Sequence, residues 1–299
     1  MPKSRSRGKK KTASSSVIDP LPDRRVMETL LAPLGGRQRG DDVDAAQQIM
    51  YDAWEAGSRR QAVALARKAL KVSPRCADAY VLLAEETART ADEALDLYRQ
   101  GVEAGERALG KAAFKEYAGR FWGFLETRPY MRARFGLAQA LWMKGLQDEA
   151  VVHYQAMLRL NPGDNQGIRY TLLNCLLELG RDTDAGKLLK RYKRDGAAAW
   201  VYSEALALFR REGDSKASRA TLERAVEVNV HVPAYLLGRK RLPSVLPALI
   251  AMGSEDEAVA YVHDAAVAWV AAPAALAWLG ATLAGMPASF SSRRPMSER

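Results

Sequence analysis

A glycine recurs at nearly constant intervals through the middle of the chain, and this spacing limits the possible folds more than any other feature. Gly145 and Gly180 are 35 residues apart, Gly180 and Gly213 are 33 apart, and Gly253 follows after a further 40. Small residues and a proline accompany the glycines at fixed offsets, most completely in the earliest copy, Gly57, Ala62, Ala69 and Pro74. A period near 34 residues is typical of stacked helical hairpins.

Each residue type in this pattern has a physical reason to be there. Glycine allows a tight turn after the first helix of a pair, alanine lets the two helices approach closely, and proline stops the second helix. One pair cannot bury both faces of its helices, so successive pairs stack. The spacing resembles that of the tetratricopeptide repeat superfamily. It predicts an all-α fold, a tetratricopeptide-like α-solenoid of stacked antiparallel helix pairs, with one irregular insertion near residues 102–126.

Two stretches resemble a more specific family. ALARKALKVSPRCADAYVLLAEE (64–86) and ERAVEVNVHVPAYLLGRKRLPSVL (223–246) are similar to the suppression of tumorigenicity seven family, and LRLNPGDNQGIRYTLLNCLLELGR resembles bacterial tetratricopeptide-like proteins. The resemblance implies a helical-repeat fold and supplies no catalytic residue. Eukaryotic members of the family carry membrane segments and are associated with growth control, whereas this sequence shows no hydrophobic N-terminal region like theirs.

The net charge of +10 comes mainly from the two ends of the chain. Residues 1–16 hold six basic side chains and no acidic one, and the last nine residues hold three arginines and one glutamate, which leaves +2 for residues 17–290. The body of the protein is therefore nearly balanced in charge. Nucleic-acid association through Lys9, Lys10 and Lys11 is an alternative function that this basic start leaves open.

These composition changes also predict the domain boundaries. We expect a basic disordered arm over 1–24, a helical repeat domain over 25–286 that contains the insertion, and a disordered tail over 287–299. No secretory signal follows the basic start, because no apolar segment comes directly behind it. The expected location is cytoplasmic.

One uncharged stretch near the C-terminus is long enough to cross a membrane, which takes about 20 residues. It lies between Asp264 and Arg293, is mostly alanine and glycine, and contains Pro273 near its middle. We expect two short alanine-rich helices that meet near Pro273 and pack at one end of the stack. A membrane anchor over residues 265–287 is the alternative.

Catalytic and metal-binding patterns are missing from the sequence. His153, His231 and His263 are not spaced as a metal triad, and no GxSxG, Walker, GxGxxG or HExxH motif occurs. Cys76 and Cys175 have no CxxC spacing; we expect Cys175 to be buried and allow Cys76 to be exposed. The sequence predicts neither an enzyme nor a metal ion or cofactor.

The sequence favours binding of another protein, as a peptide or a helix, in a groove lined by the first helix of each pair. The repeat register predicts the residues that face this groove: Tyr51, Trp54, Arg132, Gln139, Trp142, Tyr170, Asn174, Trp200 and Arg210. The same register also points Gln47, Phe135, Ser203 and Ala207 inward. Amides suit a peptide backbone, arginine suits a carboxylate and rings suit apolar anchors. Arg132 and Asn174 are the nearest matches to a clamp for a C-terminal carboxylate.

The segment FWGFLETRPYMRARFGLAQALWMKG (121–145) combines many aromatic rings with three arginines. Aromatic residues at helical spacing are usually packed in a core, so we expect Phe121, Trp122, Phe124 and Phe135 to be core residues rather than a binding cluster. Thr127 is predicted to cap a helix whose first turn contains Pro129.

Overall fold

A computed structural model describes residues 41–286 of the chain, and every regular element in this range is a helix. The predicted all-α class is confirmed. The basic arm over 1–24, including Lys9, Lys10 and Lys11, the first part of the repeat domain and the tail over 287–299 lie outside the described residues.

Thirteen α-helices and two short 3-10 turns make up the described part of the chain. The helices are α1 Asp41–Trp54, α2 Arg59–Val72, α3 Ala77–Thr87, α4 Ala91–Glu116, α5 Arg128–Met143, α6 Gln147–Leu160, α7 Ile168–Glu178, α8 Asp182–Arg191, α9 Ala198–Glu212, α10 Lys216–Val228, α11 Val232–Leu236, α12 Glu255–Val270 and α13 Pro273–Gly285. The 3-10 turns, Phe121–Gly123 and Leu125–Thr127, lie between α4 and α5.

Helices that follow one another in sequence pack against one another. From α1 to α10 each helix contacts the next, and α3 also packs on α5, as α7 does on α9. A small apolar cluster joins α1, α2 and α3, and a larger one runs from α3 to α13. The helix α3 therefore contributes to both clusters and connects the first pair to the rest of the protein.

The three evenly spaced glycines lie at the bends that end the first helices of three successive pairs. Gly145, Gly180 and Gly213 have φ of 78°, 68° and 66°, a left-handed region that other residues rarely adopt. The first two bends are alike in hydrogen bonding, because Leu146 N donates to Leu141 O and Arg181 N donates to Leu176 O. Gly213 has ψ of −152°, which only glycine tolerates at this φ.

The segment over 102–126 continues α4 and then forms the two 3-10 turns. Within α4, Gly110 has φ of 68° and ψ of 165°, so the helix is interrupted there. Phe121 is completely buried, and Trp122, Phe124 and Phe135 are half-buried against the larger apolar cluster. The expectation that these rings are core residues is therefore confirmed.

The prediction that the Thr127 side chain caps α5 is wrong. Pro129 does lie in the first turn, but the Thr127 side chain makes no cap bond. Its hydroxyl donates instead to the carbonyl oxygens of Phe121 and Phe124. Thr127 thus fixes the two 3-10 turns rather than the helix that follows them.

The helices α4 and α5 approach each other unusually closely because glycines face aromatic rings at their interface. A Cβ atom added at Gly105 would lie 2.9 Å from Cβ of Tyr130, and one added at Gly136 would overlap the ring of Tyr98. These two contacts hold the second and third helix pairs together.

The C-terminal region begins with an irregular segment, residues 237–254, that separates α11 from α12. Several apolar side chains are exposed in this segment, among them Val245, Leu249 and Met252. Beyond it, α12 and α13 meet at a bend of 119°, with Pro273 in the first turn of α13, as the sequence predicted. Within residues 41–286 no single helix is long and apolar enough to span a membrane, and only this bent pair meets the length and composition criteria.

Candidate functional site

The predicted groove residues divide into those that the fold buries, those that bind other parts of the chain and those that remain accessible. Trp200 is only 2% exposed, and Tyr51 is also buried, with 9% of its surface exposed. Trp200 packs edge-to-face on Tyr170 and Tyr192, with ring centroids 5.8 and 6.0 Å apart. Trp200 is therefore a core residue, and a partner could not reach its ring in this structure.

Arg132 forms a two-point ion pair with the carboxylate of Asp78. Arg132 Nε lies 2.8 Å from Asp78 Oδ1, and Nη2 lies 2.5 Å from Oδ2. Asp78 is completely buried and also accepts a hydrogen bond of 2.8 Å from Gln47 Nε2. The guanidinium carbon of Arg132 is 5.3 Å from the ring centroid of Trp54. Gln47 and Trp54 on the first helix of the first pair thus meet Arg132 on the first helix of the third pair.

This geometry changes the role expected for Arg132. A planar guanidinium recognises a carboxylate through two parallel hydrogen bonds, and Asp78 on α3 already occupies that side of the group. Arg132 therefore ties α5 to α3, and the proposed clamp for a partner's C-terminal carboxylate lacks its cation here.

Tyr170 belongs to a second polar network that joins the start of α7 to the connection between α8 and α9. Its hydroxyl donates to Asp195 Oδ2 at 2.8 Å, and burial raises its pKa to about 12. The neighbouring Arg169 forms ion pairs with Asp164 at 2.9 Å and Asp195 at 2.7 Å. Asp164 also accepts from the backbone N–H groups of Ile168 and Arg169, so it caps α7. The network fixes the ends of these helices.

Arg210 also binds other parts of the chain and stabilises the fold. Its Nη1 donates to the carbonyl oxygen of Leu177 at 2.8 Å, and its Nε lies 3.2 Å from Asp182. A cation at the C-terminal end of a helix satisfies exposed carbonyl groups and opposes the negative end of the dipole. Arg210 on α9 therefore holds the bend at Gly180.

The helix α12 covers the C-terminal part of the predicted groove. It packs on both α7 and α9. The hydroxyl groups of Ser203 and Tyr261 are 3.5 Å apart, and Ser203 is 0% exposed. Burial raises the pKa of Glu178 on α7, and the negative charge of Asp264 on α12 raises it further. The side of α9 that was expected to face a partner instead faces the chain's own helix.

Glu257 anchors α12 in this position, and sequence reasoning missed it. Its carboxylate accepts from the N–H of Ala198 at 2.9 Å, from Asn229 Nδ2 at 3.1 Å and from the N–H of Gly253 at 2.7 Å. A carboxylate at the first turn of α9 is stabilised by the free N–H groups there. Glu257 follows Ser254 by three residues, which suggests only a local cap, and no spacing indicates the contact with Ala198, 59 residues earlier.

Gln139, Trp142 and Asn174 remain accessible on the first helices of adjacent pairs. All three are partly exposed. Gln139 precedes the bend glycine Gly145 by six residues, and Asn174 precedes Gly180 by the same interval, so the two amides occupy equivalent positions on α5 and α7. Among residues 41–286 neither amide has a hydrogen-bond partner. These three residues are what remains of the predicted groove.

The histidines and cysteines do not form a reactive cluster in the described residues, where no group of three or more His, Cys, Asp or Glu could hold a metal ion. Burial lowers the pKa of His153 to about 4, and the positive charges of Arg134 and Arg99 act in the same direction. Cys175 is buried as expected, and burial raises its pKa to about 12. Cys76 is also buried, so the suggestion that it could be exposed is wrong.

Comparison with known proteins gives one family. The ST7 protein family model matches residues 38–291. The Protein ST7 homolog of Drosophila melanogaster is 29% identical over 271 residues, which cover 82% of this chain and 50% of that protein. Suppressor of tumorigenicity 7 proteins of Macaca fascicularis and Rattus norvegicus are each 28% identical over 291 residues, covering 82% of this chain and 54% and 50% of those proteins. The chain thus spans about half the length of the curated relatives it matches.

Proposed function

The chain belongs to the ST7 protein family, and from this membership together with the packing of its helices we propose that it is a non-catalytic protein-interaction module of the tetratricopeptide type. The recurrence of glycine bends every 33–35 residues supports a solenoid of helix pairs. Fold alone does not define a task, so the proposal depends on one accessible face.

The observation that carries the proposal is the pair of amides at equivalent positions, Gln139 and Asn174, with the half-buried ring of Trp142 about one turn after Gln139 on the same helix. An amide offers both a donor and an acceptor, which suits the backbone of an extended peptide or the polar face of a helix. Tryptophan is frequent at the centre of binding interfaces because it buries a large area with few rotatable bonds. We propose that a partner protein binds along α5 and α7 through these groups.

The position of α12 supports this choice of face. A helix from the same chain already packs on α7 and α9, which is the contact that an amphipathic helix makes in a groove of paired helices. The first helices are thus suited to receive a helix. Because α12 packs on α7 and α9, we propose that a second helix binds on α5 and the accessible part of α7.

Site-specific photo-crosslinking in the source cell tests the proposal. A photoreactive amino acid replaces Gln139 or Asn174 in the full chain, and a matched variant carries it at Gln100, an exposed glutamine on α4. We expect one discrete adduct from the two groove positions and none from the control. The additional substitution Trp142→Ala should reduce that adduct at least tenfold while the helical circular dichroism stays unchanged. Equal adducts from all three positions would reject the face.

A further inference from the structure

A basic cleft separate from the proposed interaction face lies between α4, α5 and α6. It has a volume of ≈ 720 Å³, and its charged lining consists of Arg107, Lys111, Arg134 and Arg159 with Glu103 and Glu106. Phe114, Ala156 and Leu160 give it an apolar wall. A cleft with an excess of two positive charges and an apolar side suits an anion attached to an apolar body.

One of the four cations in this cleft is paired with a neighbouring carboxylate, and two other exposed ones are not. Arg107 pairs with Glu103 at 3.5 Å. Lys111 and Arg159 are exposed and form no ion pair within the described part of the chain. The positive charge at the mouth of the cleft is therefore available to a ligand.

Arg134 supplies a fixed donor deeper in the cleft. One of its terminal nitrogens donates to the hydroxyl of Tyr130, and its guanidinium lies 5.7 Å from the Tyr130 ring centroid. Its Nε is buried and has no hydrogen-bond partner. Nδ1 of His153, beside Arg134, is also buried without a partner. A buried polar atom without a hydrogen-bond partner costs about 1–3 kcal/mol, so Arg134 has hydrogen-bonding capacity that the described residues do not use.

We propose that this cleft binds the phosphate group of a phosphate monoester, with Arg134, Lys111 and Arg159 as its cations. The guanidinium of Arg134, which lines the cleft, donates to one phosphate oxygen through Nη2, and the two exposed cations face the remaining oxygens. The apolar wall formed by Phe114 and Leu160 takes the organic part of the ester. The guanidinium is held in advance by Tyr130, so little side-chain entropy is lost on binding.

Calorimetric titration at constant ionic strength tests this assignment with inorganic phosphate, phenyl phosphate and phenol as probes. We expect phosphate and phenyl phosphate to bind and phenol not to bind. The double variant Lys111→Ala/Arg159→Ala should weaken phosphate binding at least tenfold. The matched control, Lys190→Ala/Arg194→Ala, removes the same charge from exposed positions on and after α8 and should bind phosphate as the wild type does.

Equal weakening in both double variants would mean that phosphate follows only the net charge, and an absence of phosphate binding to the wild type would also overturn the site. Nuclear magnetic resonance of His153 gives a second readout. The phosphate at Arg134 is a monoanion at the pH values near 4 where His153 titrates, because its second pKa is about 6 or higher. Its negative charge offsets the positive charge that acts on His153, so phosphate should raise the His153 pKa above its value near 4. An unchanged His153 pKa at saturating phosphate would exclude binding at Arg134.

Discussion

Arg132 on α5 and Asp78 on α3, 54 residues apart in sequence, bind each other through two parallel hydrogen bonds, with the carboxylate completely buried. This pair joins the second and third helix pairs on the side where Trp54 also packs. An arginine that the sequence register predicts to face a groove is therefore not available to a partner when a neighbouring helix pair supplies its carboxylate.

The substitution Arg132→Met should reduce the free energy of unfolding by about 3–5 kcal/mol, because it leaves the buried charge of Asp78 without its cation. Urea denaturation followed by circular dichroism measures the change. The control Arg224→Met breaks the exposed pair of Arg224 with Glu204 and should cost less than about 1 kcal/mol. The double variant Asp78→Asn/Arg132→Met should recover part of the loss; equal losses for Arg132→Met and Arg224→Met would contradict the assigned role.

The substitution Gly136→Ala should destabilise the protein although alanine is the better helix former. Alanine gains about 1 kcal/mol in helix propensity over glycine, but overpacking against the Tyr98 ring costs about 1–3 kcal/mol. The difference between the two is a net loss of up to about 2 kcal/mol in thermal or urea unfolding. Gly57→Ala is the matched control, because no atom lies within 4 Å of the added Cβ, and it should change stability little.

His153 should make the protein less stable as the pH falls from about 6.5 to about 4. The imidazole of an unfolded chain has a pKa near 6.5, whereas that of the folded protein is about 4, so in this window the unfolded state binds more protons. With allowance for its partial exposure, the loss is about 1–2 kcal/mol. Urea titrations at pH 7 and pH 4.5 should show a smaller decrease for His153→Gln than for the wild type. His263→Gln changes an exposed histidine and should behave as the wild type does.

Trypsin should cut the described part of the chain first in the irregular segment before α12. Arg239, Lys240 and Arg241 are exposed there, outside any helix. The two fragments should stay associated, since Glu257 and Tyr261 hold α12 on α9. Gel filtration after mild digestion, followed by mass spectrometry, measures both outcomes. Early cleavage within α5 or α7, or separation of the fragments, would argue against this packing.

The sequence was a good guide to features that depend on local backbone geometry. The bends at Gly145, Gly180 and Gly213 and the break before Pro273 follow from the conformations that glycine and proline allow, and these residues act within one turn. The burial of Phe121 follows in the same way from the periodicity of apolar residues.

Long-range pairing could not be predicted in this way. A helical register gives the direction of a side chain but not the residue that meets it, so the partnership of Arg132 with Asp78 and the bonds of Glu257 to Ala198 were missed. The burial of Trp200 was missed for the same reason, because it depends on helices α7, α8 and α12 that converge on α9. Thr127 was assigned the wrong partners, since its hydroxyl donates to carbonyl groups of the preceding residues and does not accept from N–H groups of the helix that follows.

The arrangement of α12 on α7 and α9 has a consequence for synthesis of the chain. Glu255 emerges from the ribosome 43 residues after Glu212, the last residue of α9, a delay of roughly 2–9 seconds at about 5–20 residues per second. During that interval α12 does not yet cover the apolar sides of α7 and α9, which makes the nascent protein open to chaperones or to a second copy until α12 has been synthesised.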